Sequence, residues 1–145
     1  EQILPEAFDN ADMSDVIFVK DHEGTVFART KNGTLTLEVD DHGLKVKADM
    51  SKTTSARQAF EEIASGMYDQ MSFAFTVKSE EYDYETDTRK ILAFDKIFDV
   101  SVVDVPAYES TEIYARSKEN YEENNWGRII NGHPIFDKAV SLMAI

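Results

Sequence analysis

Hydrolytic chemistry needs a nucleophile, a base and a group that orients the base, and this chain offers one candidate set at Ser72, His22 and Asp99. It has no cysteine, which leaves Ser, Thr, Lys or a carboxylate as nucleophile. Ser72 sits in the run "GMYDQMSFAFTV" (66–77), where Met71, Phe73, Phe75 and Val77 alternate with Ser72, Ala74 and Thr76. The apolar set predicts a core face and the other set a sparsely covered one. Ala74, the next residue on the face of Ser72, is small enough to leave backbone open to a substrate carbonyl. Pattern alone favours an ordinary solvated serine over a reactive one.

The three histidines are the candidate bases. His22 lies in a first hairpin turn, His42 in a second and His133 near the C-terminal end. None pairs with another at the short spacing that a zinc site uses, so neither metal nor cofactor is expected. Asp99 stands out because Asp is depleted in strands, yet it lies in "KIFDVSVVDV". Alternation there puts Phe98, Val100 and Val102 on one face and Asp99, Ser101 and Val103 on the other. Asp99 reads either as a strand-start residue or as the carboxylate that orients a histidine, with Ser101 supporting the same network.

Short β-elements must position these residues. "VIFVK" (16–20) and "TVFART" (25–30) flank a turn at Asp21-His22-Glu23-Gly24. "TLTLEV" (34–39) and "GLKVKADM" (43–50) flank another at Asp40-Asp41-His42-Gly43, with Leu35, Leu37, Val39 and Leu44, Val46, Ala48 facing one way. From Thr54 to Ser65 the period becomes helical, through Ala56, Phe60, Ile63 and Ala64. Ser51 or Thr53 is placed to cap that helix and Gly66 to end it. Residues 79–88, "SEEYDYETDT", read as a solvated loop, 89–97 and 99–105 as two strands ended by Pro106, and 111–116 as a last strand.

At 145 residues this is one domain, with 42% hydrophobic residues to build a core. The domain edge is expected near Ser117, with 118–145 a linker and an apolar tail that docks on the domain or on a second copy. The net charge of −13 argues against nucleic-acid binding. No apolar run approaches the roughly 20 residues that span a bilayer. The polar, Met-less start "EQILPEAFDN" shows no signal peptide and suits a segment of a longer cytoplasmic protein.

Five ordered blocks carry a resemblance over residues 1–117: "ILPEAF", "VKDHEGTVFART", "GTLTLEVDDHGLKVKADM", "TTSARQAFEEIASGMYDQMSFAF" and "FDVSVVDVPAY". The chain resembles the HK97-type prohead (capsid maturation) serine proteases of tailed bacteriophages, which share a fold with the herpesvirus assemblins. The resemblance implies a mainly β, α+β domain, a small β-barrel with one or two helices. It implies a serine endopeptidase whose His is His22, whose Ser is Ser72 and whose acidic member is Asp99, where relatives often carry Glu. Family members usually have "PGAF" where Glu6 stands, and one or two strands ahead of this segment, so an open sheet edge is expected here.

Its implied partners are the phage major capsid protein and its scaffolding segment, which such enzymes remove inside the immature capsid in the host cytoplasm, commonly with self-cleavage. A homo-oligomer is compatible with this, and neither nucleic acid nor membrane is involved. Two other classes fit parts of the sequence: a non-catalytic scaffolding or assembly protein on the same fold, and an unrelated small β-barrel binding module.

Overall fold

The computed structural model describes residues 2–40, 43–104, 112–117, 129–130, 133–134 and 138–144. Its elements in chain order are β1 (Gln2–Ile3), β2 (Ile17–Lys20), β3 (Glu23–Arg29), β4 (Leu35–Asp40), β5 (Gly43–Asp49), α1 (Thr54–Ala64), β6 (Gln70–Asp83) and β7 (Thr88–Val103). They continue with β8 (Glu112–Ser117), β9 (Ile129–Ile130), β10 (His133–Pro134) and β11 (Lys138–Ala144). Short 3₁₀ turns at Pro5–Phe8 and Thr30–Asn32 complete the described secondary structure. The fold is mainly β with a single α-helix among the described residues.

The strands form two larger sheets. In the first, β7 is central: β6 pairs antiparallel along one side, while β1 and then β2 pair parallel along the other, with β3 outside β2. In the second the order is β4-β5-β11-β8, all antiparallel. No closed barrel is formed among the described strands, in contrast to the barrel expected from the family resemblance. The hydrogen-bonded ladders stop at β6 on one side and at β1 and β3 on the other in the first sheet, and at β4 and β8 in the second. The apolar 138–144 run, which has no clear period as sequence, is an inner strand of the second sheet.

Three expectations change. Of residues 79–88 only 84–87 form a turn: β6 runs on to Asp83 and β7 starts at Thr88, with pairing up to Asp83↔Thr88. Opposite charges hold this arm, Arg89 Nη2 with Glu80 Oε2 and Lys90 Nζ with Asp83 Oδ2 at 2.9 Å, so cross-strand partners make a strand of a segment whose composition is loop-like. The two strands expected at 89–97 and 99–105 are one 16-residue strand, β7. The first turn is also tighter than expected, because Lys20 pairs with Glu23 and leaves only Asp21 and His22 between the strands. The turn at 41–42 lies outside the described residues.

The helix matches its pattern closely. Thr53 Oγ1 accepts the Ala56 N–H at 3.1 Å, and of the two candidate caps it is the one used. At the other end Gly66 adopts φ +81, and the Gly66 and Met67 N–H groups return to the Ile63 and Glu62 carbonyls. The buried stripe is Ala56, Ala59, Phe60 and Ile63, while Ala64 is exposed. Phe8, Phe73, Phe75 and Phe94 cluster in the core, with Phe75 and Phe94 centroids 4.5 Å apart. β4 and β5 contribute Leu35, Leu44, Val46 and Ala48 to the same core.

Candidate active site

Position on β7 decides what can meet. Ser101 lies opposite Ser72 of β6 and beside Val19 of β2, and Asp99 lies opposite Ala74 and beside Ile17. Directly paired residues share a face, so Ser72, Ala74, Asp99 and Ser101 stand together, with paired Cβ atoms roughly 4.5–5.5 Å apart. The other face carries Met71, Phe73, Val100 and Val102 into the core.

A bulge makes this arrangement possible. Asp99 pairs with Ala74 and Ile97 with Phe75, which leaves Phe98 unpaired and 44% exposed. In a regular strand Ile97 and Asp99 would share a face. The extra residue lets Ile97 bury completely while Asp99 turns to the opposite face. Alternation in the sequence puts Phe98 on the core face with Val100 and Val102, but Ile97 takes that place and Phe98 is displaced outward.

His22 arrives from the third strand. β2 runs parallel to β7 as far as Lys20↔Val102, and the Asp21 N–H then donates to the Val102 carbonyl at 3.0 Å. Asp21 and His22 both adopt left-handed backbone, φ +49 and +61, as a two-residue turn matched to strand twist requires. Asp and His tolerate this conformation better than most residues, at a cost of order 1 kcal/mol each. The His22 N–H, so directed, donates to Ser101 Oγ at 3.0 Å.

The side chains close a small network. His22 Nδ1 lies 2.7 Å from Asp99 Oδ1, and the Ser101 hydroxyl donates to the same Oδ1 at 2.9 Å. Ser101 Oγ is also 3.3 Å from His22 Nδ1. With Nδ1–H donating to the carboxylate, the imidazole is held in the tautomer whose Nε2 carries a lone pair. That nitrogen is the basic end of the site, and the His22 side chain is 38% exposed. Asp99 and Ser101 are 8% and 0% exposed, so water competes little for their hydrogen bonds.

Ser72 is the exception to the sequence pattern. It is 5% exposed, not solvated, although it belongs to the polar set of its strand. Among the described residues it makes no side-chain hydrogen bond to His22, and the two approach Ser101 from opposite sides. Ala74 is half-buried beside it. His133 falls on β10, and His42 lies outside the described residues. No group of His and carboxylates able to hold a metal occurs among the described residues.

Two supports were not singled out in the sequence. Lys20, the last residue of β2, donates through Nζ to the Tyr68 hydroxyl, which ties the α1–β6 connection to the His22 turn. Arg29 grips Asp15 with two bonds, Nε to Oδ1 at 2.7 Å and Nη2 to Oδ2 at 2.6 Å, and fixes the entry to β2. No local pattern announces either contact, since the partners are 48 and 14 residues apart.

A buried carboxylate holding a histidine beside a serine-bearing strand is an arrangement that serine hydrolases use. The family model of caudovirus prohead serine proteases matches residues 1–124. The chain belongs to this family. Comparison with curated proteins and with solved structures gives no match. Membership in the prohead serine protease family implies a serine peptidase of capsid maturation, a meeting with phage capsid proteins and a place inside the immature capsid. No helix among the described residues is long and apolar enough to cross a membrane.

Proposed function

We infer that this prohead protease family member is an endopeptidase that removes the scaffolding segment of the phage major capsid protein, and cleaves itself, using Ser72, His22 and Asp99. The observation that carries the reading is the contact of His22 Nδ1 with Asp99 Oδ1, made two residues along β7 from the pair Ser72↔Ser101.

The mechanism follows from the tautomer. His22 Nε2 takes the proton of Ser72 Oγ as that oxygen attacks the scissile carbonyl. The imidazolium is stabilised by Asp99 and returns the proton to the departing amine, leaving an acyl-enzyme. Water, deprotonated by the same nitrogen, then releases the acid. Ser101 holds both the His22 backbone and the Asp99 carboxylate and so positions the pair. Ser72 and His22 are not joined here, and such contacts often tighten only when substrate is bound.

Co-expression with the cognate capsid protein tests the reading. The native protein should release the scaffolding segment, seen by mass spectrometry as a shortened capsid protein, and Ser72→Ala should leave it whole. Uncleaved capsid protein in both samples would sink the protease reading and favour a scaffolding protein built on the same fold.

A further inference from the structure

A groove of about 400 Å³ lies between β3 and α1 and is separate from the buried Ser72 strand. It begins at the catalytic turn, because Asp21 and Glu23, the two chain neighbours of His22, both line it. Its far wall is α1, which contributes Ala59 and Glu62, and Phe27 of β3 supplies apolar surface. Between the pairs Phe18↔Ala28 and Lys20↔Glu23, β3 has four residues where β2 has one, so the β3 arm bows away from its partner. Among the described residues no strand pairs with the outer edge of β3.

The charge in this groove is one-sided. Asp21, Glu23 and Glu62 face a single cation, Lys20, whose ammonium is already engaged by the Tyr68 hydroxyl and stays charged beside Glu62 and Asp21. A groove with an apolar floor and surplus negative charge suits an extended chain with a Lys or Arg side chain, whose stem lies on the floor and whose head meets carboxylates.

We propose that the β3–α1 groove is a substrate subsite that selects a basic residue within about four positions of the scissile bond, on one side of it. The proposal rests on the protease reading and adds the class of substrate. Glu62 acts here as a specificity residue: it lies on the helix, outside the His22–Asp99–Ser101 network.

A mixed peptide library, made by cutting an unrelated lysate after acidic residues, provides the probe. New termini are counted by mass spectrometry for the native protein, Ser72→Ala, Glu62→Gln and Glu62→Lys. Cuts that depend on Ser72 should show Lys or Arg enriched at one fixed position. Glu62→Lys should lower kcat/KM for those peptides about three- to tenfold with kcat nearly unchanged, and Glu62→Gln should fall between. The preference should also shrink as salt rises. Ser72-dependent cuts with no basic position, or a basic preference untouched by Glu62→Lys, would overturn the subsite. Absence of any Ser72-dependent cut would overturn the protease reading, and the subsite with it.

Discussion

At the scale of single residues, the tautomer of His22 is the point on which the proposed chemistry turns. Asp99→Asn keeps the size of the side chain but can present an N–H to Nδ1, which moves the ring proton to Nε2 and removes the base. A loss of kcat on the order of 10³–10⁴-fold is expected, with KM little changed. A loss below tenfold in steady-state cleavage would remove Asp99 from the triad. His22, Asp99 and Ser101 were all legible as candidates in the sequence. The burial of Ser72 was not, because alternation tells which residues share a face and says nothing of what lies over that face. The bulge at Phe98 was equally hidden, since it exists only in the register with β6.

The acidic arm at the end of β6 and β7 shows how an element depends on its partners. Asp83 is held down to about 2 by the Lys90 ammonium first, then by the Thr86 N–H, against an ordinary value of 3.8. Lys90 is correspondingly raised by Asp83. A carboxyl depressed in the folded arm contributes its full share above pH 3.8, and that share is lost as pH falls toward about 2. We therefore expect the tip of the arm to fray on acidification across that window. Amide chemical shifts over residues 80–90 should move together, and Asp83→Asn should abolish the transition. Shifts that stay native in the wild-type protein down to pH 2 would show that the ion pair does not hold the arm. The sequence reads as a loop here because seven of its ten residues, 79–88, are Glu, Asp or Thr without an apolar period; only the partner strand supplies the compensating Arg89 and Lys90.

The whole molecule depends on a join between distant ends of the chain. β11 lies between β5 and β8, so the second sheet is not complete until the last seven-residue strand has arrived. Removing residues 118–145 should leave an edge of β5 and an edge of β8 unpaired together. Such edges recruit other chains. Size-exclusion chromatography of the shortened protein should show association or loss of soluble material; a monodisperse monomer with unchanged thermal stability would mean that β11 is dispensable.

The sequence by itself determined the strand-rich class, the helix with its Thr53 and Gly66 ends and the family, and it nominated the three residues of the proposed triad. Those features depend on local period, on capping chemistry and on ordered blocks of residue types, all written along the chain. Tertiary structure alone decided that β6 and β7 form one long arm, that Phe98 bulges and turns Asp99 toward the site, that Ser72 is covered, and that a negatively charged groove opens beside His22. Each of these is settled by a partner on another element, from 7 residues away for Asp83 and Lys90 to 77 for His22 and Asp99, through register and burial, and no local pattern specifies which partner that is.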